Sequence, residues 1–213
     1  MNKAEIIAKG LLSIKAVFLN PYKPFIWASG IKAPIYCDNR LTLSDVNVRK
    51  EVEQALAAMI RERYPDCEML MGTATAGIAH AAIVAHLLNI PMGYVRGASK
   101  DHGRNNQIEG KLERGQKIVV VEDLISTAGS CVDVVDCLRY AGADVLGIVS
   151  IFTYNMKKGM DRLQTAEVEN TSLVDLDLLL DVAVVEGYIE RNVVPAIKSF
   201  RDNPSDESWI VGL

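Results

Sequence analysis

The segment Lys117 to Cys131, KIVVVEDLISTAGSC, combines residue types that could bind an anion and a hydroxylated ligand side by side. Its β-branched run predicts a buried strand, and five small residues, Ser126 to Ser130, follow before a helix is expected to begin. Small side chains let backbone N–H groups approach a phosphate, and the helix N-terminus adds favourable charge. The alternative is that Asp123 and Ser126 only cap that helix.

Two adjacent carboxylates, Glu122 and Asp123, stand between this strand and the small residues. They would repel a phosphate, so they need a different partner. Vicinal sugar hydroxyls, which donate hydrogen bonds, or a Mg²⁺ ion held by a ribose would satisfy them. The segment therefore predicts neighbouring sites for a phosphate and for sugar hydroxyls.

Two other strand ends could serve the same ligand. The small residues 72–77, GTATAG, precede a helix and suit a loop that wraps a diphosphate with backbone amides, although a simple tight turn would look the same. Residues 94–115 are polar and rich in Gly and Asn, which is typical of an active-site lid or of a plain surface loop. The basic side chains in this stretch include Arg96, Lys100, His102 and Arg104.

The elements that must position these loops follow from hydrophobic spacing. Apolar residues at helical spacing predict helices over 3–19 and 45–64, and FIWASGIKAPIYCDNR between them predicts a short hairpin with Ser29 and Gly30 at the bend. From residue 68, short apolar strands alternate with helices, and the part after Met156 predicts two or three helices. This pattern indicates an α/β fold, a mainly parallel sheet flanked by helices, whose ligands bind beyond the strand ends.

Composition excludes several classes of protein. The 213 residues are 49% hydrophobic and 23% charged with a net charge of -4, which disfavours a broad nucleic-acid surface. The first residues do not resemble a secretory signal and no apolar run is long enough to span a membrane, so we expect a cytoplasmic protein. The four cysteines show no metal or disulfide pattern, and dinucleotide, Walker and Ser-hydrolase motifs are absent.

At these residues the chain resembles a known family. VVVEDLISTAGS resembles the phosphoribosyl-diphosphate (PRPP) signature of the type I phosphoribosyltransferases. FIWASGIKAPIYCDNR, GTATAGIAHA and the ordered set YVR, K-x-H-G and N-x-I-E-G in the basic loop resemble the orotate branch of that family. The resemblance covers about residues 18–155, with its motifs in the family's order.

The resemblance implies transfer of ribose 5-phosphate from PRPP to N1 of orotate, with release of pyrophosphate, as in pyrimidine biosynthesis. It implies that residues 1–213 form a single phosphoribosyltransferase domain, with a small hood segment formed largely by about residues 1–40 and C-terminal residues as a further candidate. The implied cofactor is Mg²⁺, held mainly by PRPP with no protein metal ligand. A homodimer that shares its lid across the interface is expected, with no nucleic-acid or membrane partner.

The resemblance also assigns roles by position. Glu122 and Asp123 would bind the ribose hydroxyls, and Lys100 and Asp123 would be the catalytic residues. Ser126, Ser29 and Gly30 would bind orotate, with Lys32 nearby. The other residues expected to bind PRPP are Arg96, Lys100 and His102 at the pyrophosphate, and Leu124, Ile125, Ser126, Thr127, Ala128, Gly129 and Ser130 at the 5′-phosphate.

Four positions depart from the family's better-known form. Ala28, Ala76 and Gly97 stand where many members carry a lysine, and Tyr154 stands where an arginine that contacts orotate is often found. These departures concern the orotate carboxylate and leave the PRPP signature intact. The alternatives are a phosphoribosyltransferase for another nucleobase and a non-catalytic PRPP-sensing regulator.

Overall fold

The computed structural model describes residues 2–27, 30–97 and 107–211, in which helices and strands alternate. The helices are α1 (Lys3–Ser13), α2 (Val46–Arg63), α3 (Ala76–Leu88), α4 (Gly129–Tyr140), α5 (Lys157–Thr165), α6 (Leu176–Val185), α7 (Val194–Asp202) and α8 (Ser208–Val211). The strands are β1 (Val17–Leu19), β2 (Phe25–Ile26), β3 (Lys32–Ala33), β4 (Ile35–Cys37), β5 (Met69–Thr73), β6 (Met92–Val95), β7 (Ile108–Glu109), β8 (Lys117–Ile125), β9 (Asp144–Thr153) and β10 (Asn170–Asp175). Short 3-10 helices cover Asn39–Ser44 and Arg191–Val193.

Six strands form one sheet in the order β10-β9-β8-β5-β6-β7. Neighbouring strands are parallel except for β7, which runs antiparallel to β6 at one edge. In β8, Val119 and Val121 face the core on the side of α1, α2 and α3, whereas Ile118 and Val120 face the core on the side of α4. Because β8 is buried on both faces, its sequence is an unbroken apolar run. The predicted α/β class with a mainly parallel sheet is confirmed.

The N-terminal segment differs from its predicted helix over 3–19. Helix α1 ends at Ser13, Lys15 adopts a left-handed conformation with φ +58°, and Val17–Leu19 pair antiparallel with Ile35–Cys37. Val17 and Phe18 continue the helical spacing of apolar residues, but β-branched and aromatic residues are equally compatible with a strand. The prediction for residues 14–19 was therefore wrong.

The hairpin predicted after it is present. Strand β2 pairs antiparallel with β3, and Gly30 turns the chain with φ +84° while its N–H donates to the Trp27 carbonyl. The indole of Trp27 contacts the rings of Phe200 and Tyr154 at centroid distances of 5.4 and 5.6 Å. The hairpin is thus packed against α7 and the end of β9.

The described part of the last third contains four α-helices where two or three helices were predicted, and one strand that was not predicted. NTSLVD forms β10, which pairs in parallel with β9 at the sheet edge. Its side chains are mostly half-buried and polar, so its apolar signal is weak. Among the described residues, no helix has the length and apolar character needed to cross a membrane.

Candidate active site

The two strand ends singled out from the sequence lie next to each other. Strands β5 and β8 are paired neighbours, with Gly72 opposite Val121. The start of α3 rests directly on β8, because a Cβ on Gly77 would lie 2.3 Å from the Val121 carbonyl oxygen. Only glycine permits this approach. The β5 loop, residues 74–77, and the β8 loop, residues 126–130, therefore follow the carboxyl ends of two neighbouring strands.

The β8 loop presents unused backbone donors. Ala128 is left-handed (φ +57°, ψ +15°) and is followed directly by the right-handed first turn of α4. No acceptor among the described residues receives the backbone N–H groups of Thr127, Ala128, Gly129 and Ser130. Successive free N–H groups in such a conformation form an anion-binding concavity at the positive end of a helix.

The β5 loop has the same property at the start of α3. The N–H of Ala74 donates to the Val95 carbonyl, whereas those of Thr75, Ala76 and Gly77 meet no acceptor in the part of the chain that is described. The Thr75 side chain does not cap the helix. Two sets of free amides thus flank the end of β8, which suits a ligand with two separated phosphate groups.

Glu122 and Asp123 lie between these two loops. Glu122 is 4% exposed, and its Oε1 accepts the backbone N–H of Asp123 at 2.9 Å. Burial, and then the neighbouring Asp123, raise the pKa of the Glu122 carboxyl well above its usual range. Asp123 is half-buried. A carboxyl with raised pKa at a strand end, beside a second carboxyl, is a typical feature of a functional site.

A residue that was not predicted from the sequence, Asn39, supports this pair. Asn39, which is fully buried, donates from Nδ2 to the Asp123 carbonyl at 2.7 Å. It belongs to the 3-10 turn after β4, so it fixes the chain at the acid pair from the side of the hairpin segment. The asparagine lies in the CDNR motif, yet the sequence offers no signal for a contact with a residue 84 positions away.

The residues around Asn39 add charge to the same region. Arg40 donates from Nε and Nη2 to both carboxylate oxygens of Asp38, at 2.6 and 2.8 Å. This contact lowers the pKa of Asp38. Burial, followed by the charges of Asp123 and Asp38, raises the pKa of the Cys37 thiol well above its usual range. The thiol therefore stays protonated next to the acid pair.

The other predicted residues are distributed unevenly. Leu124 and Ile125 are the last residues of β8, and the Ile125 side chain is buried in the core, so it could offer a ligand only its backbone. Arg96 follows β6 and pairs with Glu109 at 3.1 Å. Lys100, His102 and Ser29 lie outside the described residues.

The residues expected at the orotate carboxylate are already engaged. The Gly30 N–H is used within the hairpin turn, and Lys32 forms a 2.8 Å ion pair with Glu207. Tyr154, at the position of the frequent arginine, is 2% exposed and packs between Trp27 and Phe152. To bind the orotate carboxylate, the Gly30 N–H would have to leave the Trp27 carbonyl and Lys32 would have to leave Glu207.

Comparisons with known proteins identify the family of this chain. The sequence model of the phosphoribosyl transferase domain matches residues 44–184, which include both loops and the acid pair. The orotate phosphoribosyltransferase of Bacillus cereus (strain G9842) is 53% identical over 204 residues, 96% of this chain and 97% of that protein. That of Bacillus cytotoxicus is 54% identical with the same coverage. The chain belongs to the phosphoribosyltransferase family and, within it, to the orotate phosphoribosyltransferases.

Solved structures give the same fold. Orotate phosphoribosyltransferase from Aeropyrum pernix superposes with a TM-score of 0.70 at 26% identity, covering 82% of this chain and 97% of that one. Leishmania donovani UMP synthase superposes with a TM-score of 0.80 at 24% identity, over 93% of this chain and 42% of that one. The second likeness concerns the fold alone.

Proposed function

We propose that this protein transfers the ribose 5-phosphate group of PRPP to N1 of orotate, forming orotidine 5′-monophosphate and pyrophosphate. The observation that carries the proposal is the pair of free-amide loops on either side of Glu122 and Asp123. PRPP has a phosphate, two ribose hydroxyls and a diphosphate in that order, and the site offers a complementary group for each.

The roles of the residues follow from this match. The β8 loop would hold the 5′-phosphate through the N–H groups of residues 127–130, and the β5 loop would hold the diphosphate. Asp123, which is more accessible than Glu122, would accept a hydrogen bond from a ribose hydroxyl. Arg96, Lys100 and His102 would contact the pyrophosphate, and Ser126 and the hairpin residues Ser29 and Gly30 would face orotate.

The chemistry needs alignment more than a nucleophile. Orotate supplies the attacking nitrogen, so the protein has to hold both substrates in line and stabilise charge on the departing pyrophosphate. The carboxylates beside the ribose would stabilise positive charge that develops on the sugar ring. A lid that carries Lys100 would exclude water and prevent hydrolysis of PRPP.

A Mg²⁺ ion is part of the proposal. Among the described residues there is no cluster of three or more metal-ligating side chains, whereas Asp123 offers a half-buried oxygen donor beside both loops. The ion would be held mainly by the oxygens of PRPP, and Asp123 would be available to add a donor oxygen. When bound, Mg²⁺ would neutralise charge on the diphosphate.

We also propose a cytoplasmic homodimer in which the lid of one chain serves the site of the other. The resemblance of the YVR and IEG flanks is the main support. The hairpin segment adds exposed apolar side chains that a second copy could cover, among them Tyr22 and Ile26, which are 64% and 75% exposed.

A spectrophotometric assay tests the function. Orotate absorbance should fall when PRPP and Mg²⁺ are added to the protein, and pyrophosphate should appear in equal amount. Uracil, hypoxanthine and adenine serve as control bases. Turnover of one of these bases with orotate unchanged would contradict the proposal and favour another nucleobase, and PRPP binding without turnover of any base would favour a regulator.

A further inference from the structure

Helix α5 packs against the outer side of the β8 loop through two residues. A Cβ on Gly159 would lie 2.3 Å from the Ser126 carbonyl oxygen, so the helix backbone meets that carbonyl directly. Three residues later, Arg162 donates from Nη1 to the Thr127 carbonyl at 2.9 Å and lies 3.4 Å from the Thr127 hydroxyl. Two successive carbonyls of the loop therefore face α5.

The orientation of the carbonyls decides where the amides point. In a trans peptide the C=O of one residue and the N–H of the next point in opposite directions. With the carbonyls of Ser126 and Thr127 turned toward α5, the N–H groups of Thr127 and Ala128 turn away from it. These are two of the free donors of the loop.

We propose that Arg162 is a positioning residue for the 5′-phosphate site, a role that rests on the proposed function. Its guanidinium holds the Thr127 carbonyl outward and so keeps the Ala128 N–H turned toward the phosphate. Because Arg162 and that N–H lie on opposite sides of the same peptide, the side chain acts on the N–H through the peptide.

The need for such a contact follows from the backbone of the loop. Ala128 is left-handed although it is not glycine, and this backbone conformation costs free energy. Without a contact that holds them, the adjacent peptides would therefore tend to rotate toward a more favourable conformation. A charged donor on the Thr127 carbonyl opposes that rotation, and hydrogen bonds from charged groups are stronger than neutral ones. Gly159 leaves the room for α5 to approach closely enough.

Arg139 provides a matched control. It is also an exposed arginine, and it donates to the Ala166 and Glu167 carbonyls after α5, away from the β8 loop. Removing it deletes a positive charge and two carbonyl contacts, whereas Arg162→Ala deletes a positive charge, one carbonyl contact and one hydroxyl contact. Only Arg162→Ala affects the peptides that carry the free amides. The two variants have the same net charge.

The experiment measures binding of two separate ligands by calorimetry. Ribose 5-phosphate reports the 5′-phosphate site, and inorganic pyrophosphate reports the β5 loop. Arg162→Ala should weaken ribose 5-phosphate by about tenfold and change pyrophosphate less than about twofold, whereas Arg139→Ala should change neither. Arg162→Lys, which keeps a charged donor for the same carbonyl, should regain most of the lost affinity.

The outcomes separate the two claims. Equal weakening of both ligands by Arg162→Ala would mean a general charge effect and would overturn the positioning role, as would an unchanged affinity for ribose 5-phosphate. Thermal unfolding of each variant shows whether a loss comes from a less stable fold. If the wild-type protein binds neither ligand and does not consume orotate, the proposed function itself fails.

Discussion

Two buried glutamates, Glu53 and Glu122, have opposite kinds of neighbour. Glu53 on α2 is 2% exposed and meets Nδ1 of the fully buried His80 on α3 at 2.6 Å. Glu122 is almost as buried, but its neighbour is another carboxyl, Asp123. Burial raises the pKa of both, yet His80 and Arg49 act to lower that of Glu53, whereas Asp123 raises that of Glu122 further.

This contrast indicates which carboxyl stabilises the fold and which binds a ligand. Glu53 has a complementary partner inside the protein and joins α2 to the helix that starts at the β5 loop. Glu122 has a neighbour of like charge, Asp123. The ligand-free protein is therefore less stable than it would be with a neutral side chain at position 122. Such a cost is typical of functional residues.

The largest expected effect is the loss of stability when the Glu53–His80 pair is broken. His80→Ala leaves a buried carboxyl without its partner and should lower the free energy of unfolding by about 3–5 kcal/mol, measured by denaturant titration. Glu53→Leu together with His80→Leu should cost much less, because Glu53 Oε2 and His80 Nε2 already lack partners among the described residues. A double variant as unstable as His80→Ala would contradict this account.

The next effect separates stability from activity at Glu122. A pKa raised by folding means that the native state holds its proton more tightly than the unfolded state, so stability falls as pH rises above the ordinary value of about 4.5 toward the folded pKa. Glu122→Gln should remove that decline and raise the melting temperature at pH 8. It should also lower kcat/KM by about tenfold or more, because it replaces a carboxyl oxygen beside the ribose with an amide nitrogen.

Glu53→Gln is the control for this variant. It should lower stability and leave the kcat/KM of the folded protein unchanged. If Glu122→Gln proves destabilising at pH 8, or if Glu53→Gln lowers kcat/KM as strongly, the assignment of the two carboxyls to ligand and fold is incorrect.

The smallest expected effect is on a thiol beside the acid pair. Because the Asp123 charge helps to raise the pKa of Cys37, Asp123→Asn should lower that pKa and speed alkylation by iodoacetamide at pH 8. Mass spectrometry of the peptide that contains Cys37 measures the rate. Glu53→Gln should leave this rate unchanged, and an unchanged rate in Asp123→Asn would contradict the contribution of Asp123 to the pKa of Cys37.

The sequence predicted those parts of the site whose determinants are local. The strand end at Glu122, the small residues after it and the loop before α3 are each coded by consecutive residues, and the structure brings them to one edge. The fold class followed from the alternation of apolar strands and helices. The prediction failed at residues 14–19 and at β10, where the apolar pattern fits more than one element.

The residues that the sequence could not reveal act across long separations. Asn39 reaches Asp123 over 84 positions, Arg162 reaches Thr127 over 35, and His80 reaches Glu53 over 27. None of these residues lies in a motif that specifies its partner. Such contacts depend on how the helices and strands pack against one another, and this packing cannot be derived from a single sequence.

The most direct test of the acid pair uses a ligand that lacks one hydroxyl. Ribose 5-phosphate and 2-deoxyribose 5-phosphate share the phosphate that the β8 loop would bind and differ only beside Glu122 and Asp123. The wild-type protein should prefer ribose 5-phosphate by about tenfold in Kd, and the variant with Glu122→Gln and Asp123→Asn should lose that preference. An equal preference in both proteins would show that the two carboxyls do not bind the ribose hydroxyls.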